Sequence, residues 1–158
     1  MSQHIDKTHL SVGDKAPFFE AENQNGDVVK LTDFTGKKVI LYFYPKDDTP
    51  GCTKEACNFR DNYSALTKEG FEVVGVSPDK VAKHKKFETK YELPFTLLAD
   101  PELTILKAYG AYGRKKFMGK EVTGVLRSTF VIDESGTISA IIDKVKTKEA
   151  TEQVLASV

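Results

Sequence analysis

The sequence predicts an α/β fold built on a mixed central sheet with helices on both faces. Apolar runs of strand length alternate with segments of helical periodicity through the middle of the chain. Such strand-helix-strand units call for right-handed parallel crossovers, while the last two strand candidates lie close enough to form a hairpin and add antiparallel pairing. With 158 residues, 40% apolar and 29% charged, the chain is long enough and apolar enough for one full core without staples.

The elements follow in order. Residues 1–11 are polar and are expected to form a loose arm. Val28 to Leu31 is a short strand candidate. Val39 to Tyr44 is apolar throughout and rich in β-branched and aromatic residues, which predicts a central strand buried on both faces. Thr49-Pro50, Ser77-Pro78 and Asp100-Pro101 each place a capping side chain before a proline, so each predicts a helix start. After Thr49, the residues Cys52, Ala56, Phe59, Tyr63 and Leu66 recur at spacings of three and four, which is one buried helical face. Gly70 suits the stop of that helix. Phe71 to Ser77 is a second strand and Phe95 to Leu98 a shorter one. Leu126 to Asp133 and Thr137 to Ile142 make the hairpin, turning at Glu134-Ser135-Gly136. Thr147 to Ala156 is a final helix. No repeat or linker interrupts the chain, so residues 1–158 read as a single domain.

Charge and hydropathy exclude some functions. Lys+Arg is 23 and Asp+Glu is 23, whereas a protein that wraps duplex nucleic acid carries a basic excess. The longest apolar run is far short of the roughly 20 residues a membrane span needs. The N-terminus has no apolar segment of the secretory kind, so the expected location is the cytoplasm.

In a reducing compartment a close pair of cysteines is more often catalytic or metal-binding than structural, which singles out Cys52 and Cys57. With Thr49 as N-cap, Cys52 is the third helical residue. Free backbone N–H groups and the positive end of the helix dipole there favour a thiolate. Gly51 leaves the neighbouring backbone uncovered for a small substrate. On a regular helix the Cα atoms of Cys52 and Cys57 would be about 8.7 Å apart. A disulfide tolerates no more than about 7 Å. A bond between them would therefore require the first turns to unwind. Two inert core cysteines are the competing reading. A zinc site is poorly supported, because two of the three histidines, His4 and His9, lie in the arm and His84 falls on a polar helix face, where solvation is the default. The spacing is C-x4-C, not the C-x-x-C of a thioredoxin-type reductase.

The segment from Tyr42 to Cys57 contains Pro45, Thr49 and Cys52 in the pattern P-x3-T-x2-C. It resembles the active-site stretch of the peroxiredoxins, most nearly the bacterioferritin comigratory protein or peroxiredoxin Q branch. Val12 to Pro17, Leu93 to Asp100 and Arg127 to Asp133 are similar to other blocks of that family, in the same order. The resemblance implies a thioredoxin-like fold and a thiol-dependent peroxidase acting on hydrogen peroxide and organic hydroperoxides. It implies Cys52 as the peroxidatic cysteine, Thr49 as a hydrogen-bonding partner of peroxide and thiolate, Pro45 as a shield of the pocket and Arg127 as the cation beside Cys52. It also implies Cys57 as the resolving cysteine, thioredoxin or a similar dithiol as reductant, and no flavin, haem or metal.

The residue types suit that chemistry. Charge develops on the leaving oxygen, where Arg127 and the N–H groups near Gly51 and Cys52 can stabilise it. The planar fork of arginine can reach sulfur and substrate together. A surface ion pair is the alternative for Arg127, and a plain helix cap for Thr49. Glu55 and Arg60 could order the site or be ordinary exposed charges. Arg114 to Lys116 with Lys120 reads as a solvated basic loop, with reductant docking as the minor reading. Phe43, Tyr44, Phe59 and Phe95 fit a pocket wall or plain core. A general thiol-disulfide oxidoreductase and a non-enzymatic redox switch are the competing functions. An internal cysteine pair needs no second subunit, so a monomer is expected.

Overall fold

A computed structural model describes residues 2–158. Along them run β1 (Ser2–His4), β2 (Glu20–Glu22), β3 (Val28–Lys30), β4 (Lys38–Phe43), α1 (Pro50–Asp61), α2 (Tyr63–Lys68), β5 (Phe71–Ser77), α3 (Val81–Tyr91), β6 (Thr96–Ala99), α4 (Thr104–Ala108), β7 (Tyr112–Phe117), β8 (Lys120–Val125), β9 (Ser128–Ile132), β10 (Ile138–Ile142) and α5 (Ala150–Ser157). The central sheet has the order β10-β9-β4-β5-β6. β4, β5 and β6 are parallel, and β9 and β10 join antiparallel. This is the predicted mixed sheet.

Alternation along β4 builds a core on each face. Ile40, Tyr42 and Tyr44 point to one side, where Cys52, Ala56 and Phe59 of α1, Phe87 of α3 and Val154 of α5 pack. Val39, Leu41 and Phe43 point to the other, against Ile105 and Leu106 of α4, Tyr109 and Phe130. Gly75 on β5 matters to this packing. A Cβ there would lie 2.9 Å from the Tyr42 ring, so the missing side chain is what lets the tyrosine lie flat on the neighbouring strand.

Several expectations need correction. The N-terminal segment is not a loose arm. β1 pairs antiparallel with β7, the Thr8 hydroxyl donates to the Tyr109 carbonyl at 2.6 Å, and Asp6 accepts from Arg114 at 2.9 Å. These long-range partners are invisible to local periodicity. The basic stretch at 114–120 is not a loop but the hairpin of β7 and β8, turning at Met118-Gly119, both with positive φ. The helix from Thr49 to Gly70 breaks at Asn62, whose side chain donates to the Asn58 carbonyl, leaving α1 and α2.

The three Pro-preceded starts also differ from expectation. Thr49 is the N-cap of α1 but makes no side-chain bond to a helix N–H. Ser77 ends β5, and α3 starts later, after Lys80. α4 begins at Thr104, and Asp100 serves it from a distance by accepting from the Leu106 N–H at 2.8 Å.

Candidate active site

The site forms where β4 runs out into α1. Residues 45–49 connect the two, and Pro50 opens the helix with Cys52 in its first turn. Cys52 is buried at 1% exposure. Ser128, the first residue of β9, pairs with Phe43, the last of β4. Arg127, immediately before it, therefore arrives beside the start of α1 although it is 75 residues away in sequence.

Its guanidinium spans two acids. Nη2 donates to Cys52 Sγ at 3.2 Å and Nη1 to Glu55 Oε1 at 2.7 Å. Cys52 and Glu55, three apart, are neighbours on one helix face, so a planar fork can hold both. The same Nη2 would lie 3.3 Å from a Cβ on Gly51, so a side chain there would crowd the cation. Of the two readings of Glu55, an ordering residue or an exposed charge, the second does not hold. Glu55 is fully buried, and burial pushes its carboxyl up to about 7 against the opposing pull of Arg127. Its second oxygen, Oε2, and the buried Tyr42 hydroxyl have no hydrogen-bond partner among the described residues. Burial works against the Arg127 charge, but Glu55 and Cys52 more than offset it and raise its pKa.

The Thr49 hydroxyl donates to the Lys46 carbonyl at 2.8 Å. That bond occupies its proton and leaves its lone pairs free to accept. Pro45 is half-buried in the same connection, directly after Tyr44. Cys57 is half-buried further along α1, and both cysteines are free thiols. The helix is continuous between them, so they stand about 8.7 Å apart at Cα by helix geometry. The structure thus brings Cys52, Gly51 and Arg127 together and holds Cys57 away.

Three more residues bear on the group. Glu55, for which the sequence left an ordering role and an exposed charge open, is bonded to Arg127. A second is Lys115 of β7, whose Nζ donates to the Val125 carbonyl at 2.6 Å, two residues before Arg127. Burial lowers its pKa, and Arg127 lowers it further. The third is His84, expected on a polar face and in fact fully buried on Asp47. Arg60 lies beyond this group. It donates to the Tyr91 carbonyl at 2.8 Å and pairs with Asp61.

A model of the AhpC/TSA family matches residues 12–141. A putative peroxiredoxin Bcp of Coxiella burnetii is 54% identical over 137 residues, covering 87% of this chain and 91% of its own length. The peroxiredoxin Bcp of Bacillus subtilis is 45% identical over 146 residues, covering 92% and 93%. Among solved structures, the bacterioferritin comigratory protein of Xanthomonas campestris, described with alkyl peroxide reduction activity, superposes with a TM-score of 0.83 at 30% identity over 96% of both chains.

Proposed function

Because the chain belongs to the AhpC/TSA family of peroxiredoxins, in its Bcp branch, and is thus a thiol peroxidase, we propose that Cys52 reduces hydrogen peroxide and organic hydroperoxides and that Cys57 resolves the product. The contact that carries this reading is the Arg127 fork on Cys52 Sγ and Glu55 Oε1. A cation held there, with its partner buried, stabilises a thiolate and then the charge on the leaving oxygen.

In the first step the Cys52 thiolate attacks one peroxide oxygen. An S–O bond forms, the O–O bond breaks, and the pair leaves on the departing oxygen, which takes a proton to become alcohol or water. Cys52 is then a sulfenic acid. The Thr49 lone pairs accept a hydrogen bond from the peroxide O–H, whose proton stays on the oxygen that becomes the sulfenic acid hydroxyl, and Pro45, in the same connection, is the proposed shield of the pocket. In the second step the Cys57 thiol condenses with the sulfenic acid, expelling water and forming the disulfide. Cα atoms about 8.7 Å apart on a regular helix cannot be bridged, so the first turns of α1 unwind for this step. An external dithiol of the thioredoxin type returns both cysteines to thiols by exchange. The cycle needs only one subunit and suits a reducing cytoplasm.

Peroxide consumption coupled to thioredoxin and its reductase tests the cycle. Cys52→Ser is expected to be inactive. Cys57→Ser is expected to consume one equivalent and stop as sulfenic acid. Full turnover by Cys57→Ser would remove that residue from the cycle.

A further inference from the structure

Behind the residue 45–49 connection lies a buried polar cluster that the peroxide chemistry does not use. His84, on α3, is fully buried. Its Nδ1 stands 2.6 Å from Asp47 Oδ2 and its Nε2 2.9 Å from the Leu98 carbonyl oxygen. The Tyr44 hydroxyl donates to the other Asp47 oxygen at 2.5 Å. Asp47 lends its own N–H to Asp79 Oδ2 at 2.7 Å, which also accepts from the Ser77 hydroxyl.

The protons can be counted. A carbonyl only accepts, so Nε2 carries a hydrogen. One further proton must lie between Nδ1 and Asp47, since two bare acceptors would not sit at 2.6 Å. Whichever atom holds it, the pair is neutral as a unit and fully bonded. The ligand atoms of Asp47, Asp79 and His84 lie within 4.8 Å of one another, but Asp47 and His84 are bonded directly to each other, so the cluster is a latch between elements.

The next residue is gripped too. Asp48 has φ 60, the left-handed region that a side chain disfavours. Its carboxylate accepts from Lys90 Nζ and from the Tyr91 hydroxyl, each at 2.8 Å. α3 therefore holds two consecutive residues, Asp47 from its first turn and Asp48 from its last. The residue after them is Thr49, and Cys52 follows within one helical turn.

We propose that His84 is a positioning residue for peroxide attack: through Asp47 it fixes the connection that sets the Thr49 hydroxyl at the mouth of α1. The inference rests on the thiol-peroxidase reading of Cys52. It predicts that losing the Asp47 bond slows peroxide attack while leaving the sulfur open to a reagent that does not use Thr49.

Two isosteric variants separate the contacts of the ring. The amide of His84→Asn overlays Nδ1 and keeps the Asp47 bond. The amide of His84→Gln overlays Nε2 and keeps the Leu98 bond. The readouts are single-turnover oxidation by hydrogen peroxide in quenched flow and alkylation of Cys52 by iodoacetamide in a Cys57→Ser background. We expect His84→Gln to lose roughly tenfold or more in the peroxide rate, the scale of a misplaced catalytic group, and His84→Asn to recover most of it. Alkylation is expected to stay within about threefold in both, since an approach that needs no Thr49 alignment forfeits little. Equal peroxide rates in the two variants would overturn the inference. So would a parallel loss of peroxide and alkylation rates, which marks general disorder. If the parent protein itself fails to react with peroxide, the reading of Cys52 fails instead.

Discussion

Arg127 holds a thiol and a carboxyl at once, and its geometry is what a point charge cannot copy. Lysine in its place would keep the charge but could satisfy only one of Sγ and Oε1, which Arg127 reaches at 3.2 and 2.7 Å. Arg127→Lys is expected to slow peroxide attack by about 10²-fold, and Arg127→Ala by about 10³-fold, the range for losing one preorganised donor. An undiminished rate of peroxide attack in Arg127→Ala would contradict the role of the cation. Glu55 gives a stability signature at the same scale. Its carboxyl in the folded protein titrates near 7, raised from 4.5, so the folded state holds that proton to higher pH than the unfolded chain. The contribution of Glu55 is full below the unfolded value and is lost as pH rises through the folded one. That amounts to ~3 kcal/mol for the group. Chemical denaturation should therefore show wild type losing stability relative to Glu55→Gln between about pH 4.5 and about pH 7. A constant difference over that window would mean that Glu55 does not titrate there.

At the scale of elements, the proposed cycle requires α1 to be firm for attack and to open for resolution. Its far end is anchored. Asn58 accepts from the Thr151 N–H at 2.8 Å and donates to the Lys148 carbonyl at 2.9 Å, tying the helix to α5 and to the 3-10 turn at Thr147–Glu149. Unwinding is therefore expected to run from the residue 45–49 connection to Cys57 and to stop at Asn58. Hydrogen exchange should show residues 50–57 losing protection in the disulfide form while the sheet strands keep theirs. Unchanged exchange across 50–57 with the disulfide formed would contradict the unwinding. The buried face of α1 was legible because Cys52, Ala56 and Phe59 repeat at helical spacing, and all three are in the core. β4 and β5 were legible as uninterrupted apolar runs. β7 and β8 were not, because their exposed charged residues carry no alternation and their turn uses Met118 where such turns favour Asn or Asp. The break at Asn62 has neither proline nor glycine to announce it. For Glu55 the sequence leaves an ordering role and an exposed charge open, and for His84 it favours solvation, for one reason: a polar residue on a helix reads as solvated until a distant partner is known. Those partners, Arg127 and Asp47, are 72 and 37 residues away.

At the scale of the whole molecule, the candidate site lies at one end of the central sheet, where β4 runs out into α1. Two cores flank the strands, one on each face, and the reacting sulfur lies at the end of β4 on the α1 side. In the proposed resolving step the strands under it are expected to stay fixed while the helix start rearranges. The folded surface, 8186 Å², is close to the roughly 7,900 Å² that mass alone predicts. No helix among the described residues is long and apolar enough to cross a membrane. Because both cysteines belong to one helix, disulfide formation after oxidation should be first order, with a rate constant independent of protein concentration. A rate rising in proportion to concentration would place the resolving thiol on a second molecule.

In the proposed cycle, peroxide oxidises Cys52 and Cys57 captures the product. Intact mass of the fully reduced protein after one equivalent of hydrogen peroxide, followed by peptide mapping, tests it most directly. The expected result is the loss of two hydrogens and a Cys52–Cys57 crosslink. An unchanged mass would contradict the reactive thiolate, and an added oxygen that persists on Cys52 would contradict the resolving role of Cys57.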